Sequence, residues 1–147
     1  MPGDLRNRVL VITGASSGIG AATALAAADA GMRTVLTARR GPRLEAVADQ
    51  VRARGGQAET VIGDVADAGV EGRLLDAAET RFGGFDAVFA NAGFGMERGV
   101  METEEDALRE MFEVNFFASV RLLREAARRL VTEGRPGHLL MCSSCLA

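Results

Sequence analysis

Short apolar runs rich in β-branched residues alternate along this chain with longer segments of helical character. The runs are apolar along their whole length, as expected of parallel strands that helices cover on both faces. Five runs are predicted as strands, at residues 8–13, 33–38, 57–62, 85–90 and 138–142. Helices are predicted near residues 18–30, 42–54, 67–82 and 103–132. This alternation predicts an α/β fold with a doubly wound parallel sheet and helices on both faces.

Characteristic residues mark the ends of the predicted helices. Glycine stands where a left-handed residue ends a helix, at Gly31, Gly55, Gly83 and Gly134. Pro42 suits a first helical position, because its missing N–H is no loss there. Thr103, followed by acidic residues at 104–106, resembles a capping box at the start of the last helix. These signals agree with the boundaries that the apolar pattern predicts.

The last predicted helix has an apolar stripe and a charged side. The stripe has members three or four residues apart, at Phe112, Phe116, Val120, Leu123, Ala127 and Leu130. The opposite side holds Arg121, Arg124, Glu125, Arg128 and Arg129. We interpret this charged side as a solvated or subunit-facing surface in preference to a nucleic-acid patch.

Composition excludes several classes of function. The chain of 147 residues is predicted to form a single domain and has a net charge of −3, so it has no basic excess for binding nucleic acid or an anionic membrane. No stretch approaches the ~18 apolar residues of a membrane span. Two cysteines cannot form a disulfide framework, which favours a reduced, cytoplasmic protein. All 17 basic residues are arginine, and lysine is absent.

A glycine-rich loop at residues 13–20 follows the first predicted strand and opens directly into a helix. Glycines let a backbone turn tightly and approach a diphosphate, and the free N–H groups of the helix start attract the anion. A P-loop is excluded because it requires a lysine. The remaining alternative is a tight turn without a ligand. The candidate contacts are Gly14, Ser16, Ser17, Gly18, Ile19 and Gly20.

Three further motifs follow at the ends of later strands or inside the last helix. The first is Asp64-Val65 after strand three, and the second is Asn91-Ala92-Gly93 after strand four. The third consists of Asn115, inside the last predicted helix, and Ser143-Ser144, after strand five. With the loop Thr-Gly-Ala-Ser-Ser-Gly-Ile-Gly, they resemble the short-chain dehydrogenase/reductase family over essentially the whole chain. The resemblance implies a Rossmann-type nucleotide-binding domain over residues 1–147, with strand order 3-2-1-4-5. It also implies a dimer or tetramer that associates through the 103–132 helix.

The resemblance also implies roles for single residues, each with a plainer alternative. Asp64 and Val65 would cover the adenine ring, but Asp64 could simply cap a turn. Asn91 would contact the cofactor and help to brace the sheet, but it could simply tie loops together. Asn115 would distort its helix and hold a water for proton relay, and the alternative is a structural asparagine in a kinked helix.

The residues after strand two indicate NADP(H) in preference to NAD(H). Dinucleotide folds that select NAD commonly place an acidic residue about 20 residues beyond the glycine loop, where it binds the ribose 2′-hydroxyl. Ala38 occupies that place, and Arg39 and Arg40 follow it. Guanidinium groups suit bidentate phosphate contacts. We expect Arg39 to be the leading contact to the 2′-phosphate and Arg40 the second, and two solvated arginines are the alternative.

The catalytic set that the resemblance implies is only partly present. Ser144 takes the position of the serine that polarises the substrate carbonyl or hydroxyl, and Asn115 that of the helix asparagine. The family's Tyr-x-x-x-Lys motif is absent, because the chain has neither Tyr nor Lys. We therefore expect the amino-terminal part of an NADP(H)-dependent carbonyl/alcohol oxidoreductase. The alternatives are a non-catalytic dinucleotide-binding module and, with less support, an assembly protein.

Cysteine and histidine offer weaker hypotheses. Cys142 and Cys145 form a C-x-x-C sequence after the last strand, but redox pairs normally open a helix near the first βα junction, and zinc needs about four ligands. Only His138 lies nearby, so no metal site is predicted. The substrate is a small carbonyl or alcohol compound of unspecified identity, and Phe94-Gly95-Met96 suggests an apolar entrance.

Overall fold

Five strands and five α-helices make up the part of the chain that the structure describes. In the computed structural model, which describes residues 4–144, the strands are β1 (Val9–Thr13), β2 (Arg33–Ala38), β3 (Gln57–Ile62), β4 (Ala87–Ala90) and β5 (His138–Met141). The helices are α1 (Gly18–Asp29), α2 (Gly41–Ala53), α3 (Val70–Phe82), α4 (Glu105–Phe112) and α5 (Ala118–Thr132). A 3-10 turn (Val100–Glu102) precedes α4, and a π-helix (Glu113–Phe117) joins α4 to α5.

All strands are parallel, in the order β3-β2-β1-β4-β5, which confirms the predicted fold class and strand order. β1 lies between β2 and β4 and is buried along its whole length. Val11 belongs to the apolar core that includes residues of α3 and α5, whereas Ile12 belongs to the core that includes residues of α1 and α2. Because both faces of β1 are covered, its sequence is apolar throughout and does not alternate.

The two edge strands differ from this pattern. β3 is only partly buried, and β5 is exposed at all four positions. Leu139 and Leu140 of β5 are 39% and 47% exposed. β5 pairs with β4 alone among the described strands, so its apolar side chains lie at an edge of the sheet.

The helix predicted over residues 103–132 begins at Glu105 and is divided by the π-helix, and its predicted apolar stripe is wrong at Phe112 and Phe116 but correct at Leu130. The π-helix interrupts the helix, and Phe112 and Phe116 are 52% and 48% exposed. The face that packs on the sheet carries Val114, Ala118, Leu122, Ala126 and Leu130. A π-turn rotates the residues that follow it about the helix axis, so regular α-helical spacing does not identify the face that packs on the sheet. The alanines of this face permit close packing. Association through this helix stays a prediction.

The glycine signals for helix ends are confirmed, whereas the capping box is not. Gly31, Gly55, Gly83 and Gly134 all have positive φ, between 63° and 79°. Thr103 does not cap α4, because its Oγ1 donates to the carbonyl of Gly99 at 3.0 Å and the residue before the helix is Glu104. Pro42 lies in the first turn of α2. In the part of the chain that the structure describes, no helix combines the length and apolar character needed to cross a membrane.

The interpretation of Arg129 as a solvated or subunit-facing residue is also wrong. Its guanidinium links α5 to α3: Nη1 lies 2.8 Å from Asp76 Oδ1 and 2.8 Å from Glu79 Oε1, and Nε lies 2.9 Å from Glu125 Oε1. The Arg129 side chain is only 15% exposed. Hydrogen bonds from Arg128 and Arg129 lower the pKa of Glu125 to about 2. This network ties together two helices that cover the same face of the sheet.

We predict that Glu125 contributes to the acid sensitivity of the fold. Since its pKa falls from 4.5 to about 2 on folding, its stabilising contribution is present above pH 4.5 and is lost as the pH falls toward 2. Glu125→Gln should lower the free energy of unfolding near pH 7 and flatten its dependence on pH below 4.5. Urea unfolding at a series of pH values measures both effects.

The exposed pair of Arg109 and Glu105 provides the control for this measurement, because both side chains are about three quarters exposed. Glu105→Gln should change the free energy of unfolding near pH 7 by no more than about 0.5 kcal/mol. An acid profile of Glu125→Gln identical to that of the unmodified protein would contradict the assignment.

Candidate functional site

The glycine loop lies where β1 ends, beside the segment that follows β4. Gly14 has φ +66°, and a Cβ there would lie 2.8 Å from Ala92 Cα. A Cβ on Gly20 would overlap the carbonyl oxygen of Gly14 and lie 2.8 Å from Asn91 Nδ2. Gly18 has φ +55° but no neighbour within 4 Å of its missing Cβ. Gly14 and Gly20 therefore pack the loop against the segment that follows β4, and Gly18 leaves the outer side of the loop open.

The start of α1 offers backbone N–H groups at this open side. The helix begins at Gly18, Ser17 makes no side-chain capping bond, and Ala21 donates to the Ser17 carbonyl at 3.2 Å. The N–H groups of Gly18, Ile19 and Gly20 have no acceptor within the helix. The first turn contains no acidic residue. Such a terminus can bind an anion through its N–H groups and its dipole.

Thr13 and Asn91 join the carboxyl ends of β1 and β4. The N–H groups of Asn91 and Ala92 donate to Thr13 Oγ1 at 2.9 and 3.0 Å, and Asn91 Nδ2 donates to the Thr13 carbonyl at 3.1 Å. Asn91 therefore does tie two loops together, and its contact with a cofactor stays a prediction. Sequence reasoning missed Thr13. Its signal was a hydroxyl at the end of a buried strand, where it requires hydrogen-bond partners.

Asn115 lies in the π-helix and binds the segment after β4. Its Oδ1 accepts from Phe94 N at 2.9 Å, and its Nδ2 donates to the Phe94 carbonyl at 2.8 Å. A Cβ on Gly93 would lie 3.2 Å from Asn115 Oδ1, so Gly93 permits this close approach. The expected distortion of the helix at Asn115 is therefore present. Its water-holding role stays a prediction.

Asp64 and Val65 follow β3 at the same edge of the sheet. Asp64 Oδ1 accepts from Ala66 N at 3.0 Å, so this carboxylate does cap a turn. Its Oδ2 lies 3.5 Å from Arg39 Nη1. Val65 is partly buried and lines a small cavity that Thr13 and Ala92 also line. The turn therefore lies close to the ends of β1 and β4 while keeping one carboxylate oxygen near Arg39.

Arg39 and Arg40 point to different parts of the site. Arg39 reaches toward Asp64, whereas Arg40 Nη2 lies 3.5 Å from Ser16 Oγ and 3.4 Å from Ser17 Oγ. These contacts are long for hydrogen bonds, and both arginines are exposed. The Arg39 guanidinium therefore lies near the turn after β3, and the Arg40 guanidinium lies near the glycine loop. Neither group is held firmly.

Ser144 is exposed and follows β5 at the carboxyl edge of the sheet. Cys142 N donates to the Ala90 carbonyl at 2.9 Å, which extends the β4–β5 pairing to the point where the two following serines emerge. Cys145 lies outside the described residues, so the C-x-x-C pattern stays untested. Within residues 4–144, no three His, Cys, Asp or Glu side chains are grouped as metal ligands.

The site therefore has the arrangement of a dinucleotide-binding α/β protein, with its polar residues at the carboxyl ends of parallel strands. The sequence pattern of the short chain dehydrogenase family matches residues 8–147. The chain belongs to this family.

Relatives of known sequence and structure agree with this assignment. The chain is 37% identical over 145 residues to 1-deoxy-11-beta-hydroxypentalenate dehydrogenase of Streptomyces exfoliatus, covering 97% of this chain and 53% of that protein. It spans about half the length of the curated relatives it matches.

Two solved structures show different cofactors in similar folds. A metagenomic short-chain oxidoreductase in complex with NADP superposes with a TM-score of 0.87 and 32% identity, covering 98% of this chain and 64% of that one. An NAD+-bound xylitol dehydrogenase superposes with a TM-score of 0.85 and 27% identity, covering 92% of this chain and 52% of that one. These two structures, both similar to this chain, thus hold different cofactors.

We predict that Gly20→Ala displaces the glycine loop. The added Cβ would overlap the Gly14 carbonyl, so the loop must move, with an expected loss of about 1–3 kcal/mol in the free energy of unfolding. The affinity for NADPH should fall at least about tenfold, because the N–H groups at the start of α1 move with the loop. Thermal unfolding and NADPH fluorescence titration measure the two effects.

Gly72→Ala is the matched control. Gly72 lies inside α3 with no atom within 4 Å of its missing Cβ, so alanine there should be neutral or stabilise the fold by up to about 1 kcal/mol. If the two variants bind NADPH equally well, the loop does not contact the nucleotide as predicted.

Proposed function

We propose that this chain is the NADP(H)-binding part of an oxidoreductase that interconverts carbonyl and alcohol groups in a small molecule. The observation that carries the proposal is the end of β2, where the buried Ala38 replaces an acidic residue and Arg39 and Arg40 lie beside the site. Membership in the short chain dehydrogenase family supports the reaction class.

The described residues fit a dinucleotide. The close packing at Gly14 and Gly20 leaves no room for side chains, and the open N–H groups from Gly18 to Gly20 would bind the diphosphate. Ile19 is 62% exposed and would cover part of the nucleotide by van der Waals contact. Asp64 and Val65 would flank the adenine, and the segment from Asn91 to Gly93 would lie along the ribose and nicotinamide.

Weak internal contacts leave both arginines available for a 2′-phosphate. The Arg39–Asp64 pair spans 3.5 Å, and its two side chains are 64% and 29% exposed, so the pair contributes little. Arg40 contacts only neutral hydroxyls, at 3.4 and 3.5 Å. A charge-assisted bond to phosphate is stronger than either contact. We infer that one or both guanidinium groups turn to the phosphate when NADP(H) binds.

We predict that Arg39→Asp reverses or removes the preference for NADPH over NADH. The substitution removes a phosphate contact and introduces a carboxylate that repels phosphate and can bind a 2′-hydroxyl. The ratio of the two dissociation constants should change by about ten- to hundredfold in favour of NADH. Fluorescence titration with both coenzymes measures the ratio.

Arg54→Asp controls for the change in net charge. Arg54 follows α2 and pairs with Asp29 at 2.6 Å, and it takes no part in the site described above. The coenzyme ratio should stay the same in this variant. An unchanged ratio in Arg39→Asp would remove Arg39 from the proposed phosphate contacts.

The chemical step is proposed for the protein that carries this chain. When bound, the nicotinamide donates or accepts the hydride. Ser144 would hydrogen-bond the substrate oxygen at the carboxyl edge of the sheet, and Asn115 would keep the neighbouring segment at Phe94 in place. The second candidate is a nucleotide-binding module without catalysis. Neither Tyr nor Lys occurs in these 147 residues, so they do not themselves supply the proton-transfer pair that the resemblance implies.

We predict that Ser144→Ala lowers kcat by about 10²–10³ and leaves the NADPH dissociation constant unchanged, because it removes a hydrogen-bond donor to the reacting oxygen and not a nucleotide contact. NADPH oxidation by the whole protein with a panel of aldehydes and ketones measures kcat. Ser143→Ala is the matched control and should retain activity. NADPH binding without turnover of any compound would support the non-catalytic module.

A further inference from the structure

A second concave surface lies at the amino edge of the sheet, opposite the glycine loop. It is a cavity of about 460 Å³ formed where β1 and β2 begin, by the turn after α3 and by the segment before β5. Val9 lines this cavity and is the first residue of β1, whereas Thr13 at the glycine loop is the last. At ~3.3 Å per residue, the strand separates the two places by roughly 13 Å. The cavity is therefore distinct from the proposed nucleotide site.

The charged side chains of this cavity are mostly basic. It is lined by four arginines, Arg6, Arg8, Arg33 and Arg135, and by two aspartates, Asp4 and Asp86. Arg6 pairs with Asp4 at 2.9 Å, and Arg8 with Asp86 at 2.7 Å. Of the two remaining arginines, Arg135 pairs with Glu133 at 3.0 Å, so these groups together carry one surplus positive charge, that of Arg33, in a chain whose net charge is −3.

Arg33 is held in place without a carboxylate partner among the described residues. Its Nε donates to the Asn7 carbonyl at 3.0 Å, and its guanidinium carbon lies 5.3 Å from the centroid of the Phe82 ring. Asn7 is the one non-glycine residue in the described part of the chain with positive φ, at +63°. The carbonyl and the ring fix the guanidinium plane while leaving its charge unneutralised, which prepares it for an oxyanion.

Arg135 is seated by a close approach to the backbone. Its Nη2 donates to the Phe85 carbonyl at 3.0 Å, and its Nη1 lies 3.0 Å from Glu133 Oε2. A Cβ on Gly84 would overlap Nη1, and Gly84 has φ +137°, so the glycine is needed for this position of the guanidinium. Glu133 lies outside the lining of the cavity but offsets part of the charge of Arg135, so Arg135 offers the cavity mainly its fixed N–H donors.

We propose that this cavity binds a small multivalent oxyanion of the phosphate class, with Arg33 and Arg135 as its principal contacts. The volume lies within the usual range of small-molecule sites, roughly 300–1,000 Å³. Guanidinium groups bind phosphate oxygens through paired N–H donors. Asp4 pairs with Arg6 and Asp86 with Arg8, and neither aspartate forms an ion pair with Arg33 or Arg135. This site is independent of the proposed function at the glycine loop.

Calorimetry with inorganic pyrophosphate tests the proposal on the whole protein at low ionic strength. The protein is first saturated with NADPH, so that the nucleotide site is filled and cannot account for the heat. One binding event is expected. Arg33→Gln and Arg135→Gln should each weaken it by about ten- to hundredfold, because each removes a charge-assisted contact. Arg109→Gln, an exposed arginine on α4, is the matched control and should leave the affinity unchanged.

Two results would overturn the proposal: no heat of binding in the unmodified protein, or equal weakening in all three variants, which would indicate attraction by net charge alone. If the two cavity variants do not fold, the binding site is located from the changes in amide chemical shift that pyrophosphate causes in the unmodified protein. Shifts at Asn7 and Gly84 on addition of pyrophosphate support the site, and shifts confined to Gly18–Gly20 reject it. NADPH affinity, measured separately, tests the nucleotide site without reference to this cavity.

Discussion

The hydrogen bonds between Thr13 and the Asn91–Ala92 backbone fix the crevice on which the candidate site depends. β1 and β4 are neighbours in the sheet although they are not consecutive in sequence. The connection that follows β1 and the connection that follows β4 therefore lead to opposite sides of the sheet and leave a crevice between them. Ligands of doubly wound folds bind in such a crevice, outside the carboxyl ends of the strands. Because Gly14 and Gly20 pack directly against the segment after β4, any change in the spacing of the two strands would also move the N–H groups at the start of α1.

Most of the fold could be predicted because the local pattern and the tertiary structure impose the same requirement. A strand covered on both faces must be apolar throughout, and β1 and β2 satisfy this with side chains that enter two separate cores. The glycines at helix ends were equally readable, since a positive φ is a local property of the backbone. Local chemistry also identified the glycine loop and the two arginines after Ala38.

The features that the sequence did not reveal depend on contacts between distant residues. The spacing of Phe112 and Phe116 is that of a buried stripe, but the π-turn and the alanines of the neighbouring face determine which side packs on the sheet. Arg129 carries a charge that is typical of a surface residue, yet three carboxylates from α3 and α5 surround it. Neither outcome can be derived from spacing alone, because each depends on the position of a second helix.

In a chain without lysine, the way each arginine is held separates structural cations from those available to ligands. Arg129 is itself mostly buried and has short contacts to three carboxylates, so turning it toward a ligand would break three ion pairs at once. Arg39 and Arg40 have only long contacts, of 3.4–3.5 Å, and lose little when they turn to a phosphate. Arg33 is a third case, because a carbonyl and an aromatic ring orient it without neutralising it. Its charge can therefore act on an anion while its position stays fixed.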